Sequence, residues 1–133
     1  MNVEMLDRKE IAKYRENILD FYDQVYGSDR AYIGQAIDNT LLACVLFDED
    51  KKVFGACRIL TDLTKHAHIV DFIVHPEMRG QGYGSKILKT AASECEKMGC
   101  MFIGLTCVKE LFDFYAKVNF RPNEGFNYLK YKG

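Results

Sequence analysis

From Arg8 to Tyr26, apolar side chains recur at Ile11, Tyr14, Ile18, Phe21, Tyr22 and Val25, mostly three or four residues apart. That spacing predicts one amphipathic helix, with Gly27 as its C-terminal stop. Ser28 or Asp29 then caps a second, shorter helix that runs to Ile37. A short strand at Val3–Leu6 precedes them. The apolar run Leu41–Phe47 is followed by Asp48-Glu49-Asp50-Lys51-Lys52, which reads as a strand and a charged turn. Val53–Thr61 and His66–His75 follow as strands, the second containing the β-branched residues Ile69, Val70, Ile73 and Val74. Glycines break the chain at Gly80–Gly84. Helical spacing returns from Tyr83 to Met98, where Ile87, Leu88, Ala91, Ala92, Cys95 and Met98 share a face and Gly99 ends the run. Met101–Cys107 is a short apolar strand. Lys109–Val118 reads as a helix with Leu111, Phe112, Tyr115 and Val118 on one stripe, and Phe126–Tyr131 as a terminal strand. A β-α-β unit inside a run of antiparallel strands predicts an α/β fold: a mixed, mostly antiparallel central sheet flanked by helices. No repeat or Gly/Ser/Pro-rich linker divides the chain, so 1–133 is expected to be a single domain.

Composition narrows the function classes. Of the 133 residues 48% are hydrophobic and 13% aromatic, enough for a packed core, which excludes the disordered classes. Eighteen basic residues against nineteen acidic ones leave a net charge of −1, and no polybasic run exists to hold nucleic acid. No apolar stretch approaches the roughly 18 residues of a membrane span. The opening MNVEMLDRKE lacks the charged and apolar regions of a signal peptide. Cys44, Cys57, Cys95, Cys100 and Cys107 form an odd set without a CxxC pair, which suits a reducing compartment and argues against a disulfide framework. His66, His68 and His75 do not stand at zinc-site spacing. The expectation is a cytoplasmic protein with no metal and with neither nucleic acid nor membrane as partner.

The segment Asp71-Phe-Ile-Val-His-Pro-Glu-Met-Arg-Gly-Gln-Gly-Tyr-Gly-Ser-Lys86 carries the chemistry. A strand runs into a glycine-rich turn that opens a helix. Free N–H groups and a positive dipole end make such a place an anion site. A Walker A loop requires a second glycine five positions after Gly80, where this chain has Ser85. A GxGxxG dinucleotide fingerprint fails at the same residue, and no acidic residue follows in Met101–Leu105 to take a ribose. What remains is R-x-x-G-x-G, with Arg79, Gly82 and Gly84. The plainer reading is a tight turn whose glycines serve geometry alone.

Here the chain resembles the GNAT superfamily of acyl-CoA N-acyltransferases. The match includes Val74-His75-Pro76 before the loop and Leu111–Phe120 after it, where Phe114-Tyr115 and Phe120 are similar to the family's FYxxxGF segment. It covers Arg58 to Pro122. The resemblance implies an acetyl-CoA-dependent N-acetyltransferase acting by direct attack in a ternary complex. It implies that Gly80, Gln81, Gly82, Tyr83, Gly84 and Ser85 offer backbone amides to the pyrophosphate of acetyl-CoA, with Arg79 assisting or simply at the surface. Phe72, Ile73 and Val74 would hydrogen-bond pantetheine through the strand edge, and a backbone N–H at the splayed end of that strand would stabilise the oxyanion. Tyr115 stands at the position of the family's general acid; otherwise it is a core aromatic. Asp71 is the candidate base, equally a strand-edge partner without chemistry. His68 acting through water, or water alone, is the other route, and His75 reads as structural. Two positions depart from the pattern: Asn119 replaces a glycine, tolerable because asparagine enters left-handed backbone conformations, and Val108 replaces an asparagine.

The acceptor has no motif. Tyr22, Tyr26 and Tyr32 with Asp20, Asp23 and Asp29 either frame a site for a cationic amine or form an ordinary helix face. Arg58 lines the pocket or braces a turn. The segment Cys107–Phe120 is also similar to glucosamine-6-phosphate N-acetyltransferases, yet no basic group is singled out for a phosphate. The expected acceptor is a small primary amine; the alternative is a catalytically silent acyl-CoA-binding sensor or assembly module. Phe126, Tyr128, Leu129 and Tyr131 crowd apolar area into the terminal strand, which predicts a homodimer unless that strand packs on its own sheet with its lysines keeping the edge soluble.

Overall fold

The computed structural model describes residues 1–27, 29–125 and 129–132. Strand β1 (Asn2–Asp7) passes directly into helix α1 (Arg8–Lys13), followed by α2 (Arg15–Tyr26) and α3 (Arg30–Asp38). Then come β2 (Leu42–Phe47), β3 (Val53–Thr61), β4 (His66–Val74), α4 (Tyr83–Lys97), β5 (Phe102–Leu105) and α5 (Phe112–Ala116). The sheet order is β1-β2-β3-β4-β5. All neighbours are antiparallel except β4 and β5, which run parallel because α4 crosses between them. Period-two alternation sends one set of side chains to each face. Leu6, Ala43, Val45, Phe47 and Ala56 pack with α1–α3 through Ile11, Ile18, Phe21, Tyr22 and Ile37. Cys44, Leu46, Cys57, Ile59 and Ile69 pack with α4 through Ile87, Leu88, Ala91 and Cys95. With helices on both faces, all six residues of β2 are buried.

Local chemistry explains most boundaries. Asp7 and Glu10 form a reciprocal capping box, which ends β1 and starts α1 in one step. Asp29 caps α3, accepting from the Ala31 and Tyr32 N–H groups at 3.0 and 3.3 Å, while Ser28 lies outside the described residues. The single helix expected over Arg8–Tyr26 is two helices. The break is at Tyr14 (φ −103°, ψ 19°), whose ring packs 5.0 Å from that of Phe47 and anchors the junction to the sheet.

Two expectations near the C-terminus are corrected. Lys109–Val118 is not one helix. Lys109–Leu111 forms a 3₁₀ turn, Leu111 provides no side-chain cap, and α5 spans only Phe112–Ala116. The terminal strand over Phe126–Tyr131 is not present at Leu129–Tyr131; Phe126, Asn127 and Tyr128 lie outside the described residues. Leu129 and Tyr131 are each 89% exposed and join no ladder, so their backbone groups gain nothing from extension. Among the described residues, β5 is therefore a sheet edge.

Candidate active site

Pairing between β4 and β5 runs only from His66↔Phe102 to Ile69↔Leu105. Beyond Ile69, β4 continues alone for five residues along an open edge. The cause is local. Opposite β3 the register steps from Arg58↔Val70 to Ala56↔Ile73, so β4 carries one residue more than its partner, and Asp71 takes φ +51° in this bulge. His75 N–H donates to the Phe54 carbonyl at 2.7 Å, and the Val74 carbonyl accepts from Arg79 Nε at 3.0 Å. Backbone groups alternate in an antiparallel ladder. Phe72 and Val74 thus aim theirs at the open edge, and Ile73 aims its own at β3.

The chain then turns through Pro76–Met78 into the glycine loop. His75 is structural here, its Nδ1 accepting the Glu77 N–H at 3.2 Å. Gly82 caps α4 at φ +85°, a left-handed conformation that L side chains adopt at a cost. A Cβ at Gly80 or Gly82 would meet nothing within 4 Å, so this side of the loop is open. Gly84 is different: its Cβ would lie 3.2 Å from Phe72 Cζ, and its absence lets α4 start tightly against β4. The first intrahelical bond runs from Lys86 N–H to the Gly82 carbonyl, at 3.1 Å. The N–H groups of Tyr83, Gly84 and Ser85 therefore have no helical acceptor, and the first turn carries no acidic residue.

One cleft of about 610 Å³ joins these features. It is lined by Phe72, Ile73, Val74, Arg79, Gly80, Gly82, Tyr83, Gly84, Ser85 and Tyr115. Of the residues expected at a cofactor site, only Gln81 lies off this lining; it is exposed, with its amide 3.5 Å from the Glu77 carbonyl. The sequence reading missed Met78, Leu111, Phe114 and Lys117, which complete the wall. Phe72, Phe114 and Tyr115 form an aromatic triangle with centroids 5.1–6.4 Å apart. Among the described residues nothing hydrogen-bonds the Tyr115 hydroxyl. Partial burial raises its pKa above the ordinary phenol value, so it stays protonated and able to donate. Asn119 adopts φ +69°, as its replacement of glycine requires, and Phe120 N–H closes the turn on the Tyr115 carbonyl at 3.0 Å.

A second cavity of about 280 Å³ meets the first at Phe72 and Tyr115. Its lining includes Tyr26, Asp71 and Thr106. The Asp71 carboxylate accepts from Arg58 Nε at 2.7 Å, and its backbone carbonyl from the Tyr22 hydroxyl at 2.8 Å. Arg58 and Asp71 had a legible signal: opposite charges embedded in neighbouring apolar strand runs. His68 is exposed and does not line this cavity. The acids of the N-terminal helices belong to a helix face. Asp20 and Asp23 pair with Arg30 at 2.7 and 3.3 Å, Asp29 is a cap, and Tyr32 is exposed. Only Tyr26 of that group reaches the second cavity, while Tyr22 is buried beneath it.

Comparison with known proteins identifies the frame. An uncharacterized N-acetyltransferase ycf52 of Gracilaria tenuistipitata var. liui is 30% identical over 88 residues, 64% of this chain and 48% of that protein. Glucosamine 6-phosphate N-acetyltransferase 1 of Oryza sativa subsp. japonica is 32% identical over 53 residues, 40% of this chain and 32% of that protein. The chain thus spans about half or less of the length of these curated relatives. A solved GNAT-family acetyltransferase of Streptococcus pneumoniae superposes with a TM-score of 0.71 over 97% of both chains at 24% identity, a likeness of fold. The family model described as acetyltransferase (GNAT) family matches residues 7–120, and this chain therefore belongs to that family.

Proposed function

We propose that this protein transfers an acetyl group from acetyl-CoA to a small primary amine. The observation that carries the reading is the continuity of the 610 Å³ cleft, from the start of α4, which has no side-chain cap, along the open β4 edge to Tyr115. Three free amides at a helix start suit a diphosphate. The outward backbone groups of Phe72 and Val74 suit the amides of a pantetheine arm. Arg79, with Nε committed to the Val74 carbonyl, braces the loop and leaves its remaining N–H groups for an anion.

Acetyl-CoA supplies an acetyl group already activated as a thioester. The acceptor nitrogen gains it and loses a proton, and the departing sulfur takes one up. Tyr115 is the residue that gives that proton. An N–H of the open β4 edge holds the negative charge that builds on the carbonyl oxygen. Asp71 spends a carboxylate oxygen on Arg58, so in this reading it orients the amine in the second cavity and water carries the amine's proton away. That cavity is lined by a carboxylate and two hydroxyl-bearing aromatics, with no Lys or Arg among its described residues, which favours a cationic amine without phosphate. The curated relative that acts on glucosamine 6-phosphate supports an amine acceptor in general.

The competing reading, a silent acyl-CoA-binding module, is favoured by the engagement of Asp71 with Arg58. Thiol release from acetyl-CoA over a panel of amines separates the two. Release that depends on one amine supports transfer; CoA binding without release from any supports the module. The proposal also includes a cytoplasmic setting, consistent with five free cysteines, and pairing of two copies through the exposed Leu129 and Tyr131. Light scattering reads the pairing: a doubled mass lost on Tyr131→Lys supports it, and a monomer mass at every concentration removes it.

A further inference from the structure

Asp71 is not glycine, yet it holds a left-handed conformation at φ +51°, which its side chain disfavours. Such a residue persists only where its surroundings over-determine it. Here they do so from three elements. The Tyr22 hydroxyl on α2 donates to the Asp71 carbonyl at 2.8 Å. Arg58 on β3 donates through Nε to the Asp71 carboxylate at 2.7 Å, and through Nη1 to Thr40 Oγ1 at 3.1 Å. Thr40 in turn donates to the Ala36 carbonyl at the end of α3, at 2.7 Å. Tyr22 and Thr40 are buried, so these bonds do not compete freely with water. Burial also keeps the Tyr22 phenol neutral, its pKa raised well above the ordinary value.

The location gives the chain of bonds its consequence. The bulge lies just past Ile69↔Leu105, the last β4–β5 pair, and it inverts the alternation of every residue after it. With the bulge, Phe72 turns its N–H and C=O and Val74 its N–H to the cleft, the Val74 carbonyl being held by Arg79 Nε; without it, Ile73 would face that way. The geometry points to Tyr22 and Arg58 as positioning residues for the pantetheine arm of CoA, acting by holding the Asp71 bulge that turns the Phe72 and Val74 backbone to the open edge. This rests on the acetyl-CoA reading above. Neither side chain lines the cofactor cleft, so both act through the strand.

The test compares two ligands by calorimetry: CoA, and its nucleotide half, the phosphoadenosine diphosphate without the pantetheine arm. The nucleotide half needs the α4 loop alone. Tyr22→Phe keeps the ring and deletes the donor. It should weaken CoA about five- to tenfold, the scale of one buried hydrogen bond, and leave the nucleotide half unchanged. Thr40→Val cuts the same chain further from the bulge and should shift CoA in the same direction by a smaller factor. It also serves should Tyr22→Phe fail to fold. Equal weakening of both ligands, or unchanged CoA affinity in the folded variants, overturns the inference and leaves the functional reading standing. Failure of the wild-type protein to bind either ligand overturns the functional reading itself, and the inference with it.

Discussion

Replacing Gly82 tests whether the loop's backbone conformation, and not merely its composition, makes the anion site. Gly82 holds φ +85°, and a Cβ there would meet nothing within 4 Å. An alanine therefore creates no clash, and its whole cost is conformational, about 1–2 kcal/mol for an L residue in the left-handed region. If the free loop relaxes to avoid that cost, ligand binding must restore it, and CoA affinity falls about 5- to 30-fold. Valine, β-branched, should do worse. The control is Gly27, at φ +60° with nothing within 4 Å of its Cβ, at the C-terminus of α2 and away from the cleft. Gly27→Ala carries a similar strain, so it should lower the melting temperature by about 3–8 °C and leave CoA binding as it was. Isothermal calorimetry with CoA, beside thermal melts of wild type and the variants, reads both effects. CoA affinity in folded Gly82→Ala equal to that of wild type would refute the reasoning, as would an equal affinity loss in Gly27→Ala.

Tyr115→Phe should reduce the turnover number about a hundredfold or more while changing CoA affinity little, the signature of a group acting in the transition state; equal turnover would make Tyr115 a packing residue. Because burial raises the Tyr115 pKa, the donor form persists past the ordinary phenol value of 10.0, and the rate should show no alkaline fall below about pH 10. Asp62 accepts from the Thr64, Lys65 and His66 N–H groups and titrates at about 2. A depressed carboxylate stabilises fully above its unfolded value of about 4 and loses that effect as pH falls toward the folded one. The melting-temperature gap between wild type and Asp62→Ala should therefore be constant above about pH 4 and shrink toward pH 2. Burial pushes the Cys57 thiol up to about 12 and Cys95 to about 11. Half-buried Cys107 should thus be the first thiol that a disulfide reagent modifies in the native protein, with all five reacting after denaturation; early labelling of Cys57 would contradict the packing.

Elements bounded by side-chain chemistry were the legible ones. Val53–Thr61 and the start of α4 at Tyr83 were read at their observed limits, because a charged turn and a glycine cap mark them locally. The loop, Tyr115 and the open strand could be placed because motif and periodicity agreed. The bulge was not readable, since its left-handed Asp71 answers to Tyr22 and Arg58, 49 and 13 residues away. The break at Tyr14 escaped for the same reason: helical spacing continues through it, and the cause lies across the core in Phe47. α5 was overextended because its apolar stripe suits a helix, while the backbone at Leu111 and the left-handed Asn119 do not. The second cavity joins Tyr26 of α2, Asp71 of β4 and Thr106 after β5, and no local pattern connects them.

The proposed placement puts acetyl-CoA along the open β4 edge, with its diphosphate on the amides at the start of α4. A residue-resolved amide NMR titration of the wild-type protein with CoA tests it most directly. Saturation should shift the N–H resonances of Phe72, Val74 and Gly80 through Ser85, with the nucleotide half alone moving only the loop set. Saturable binding that leaves those amides in place, and moves residues of α2 and α3 instead, would contradict it.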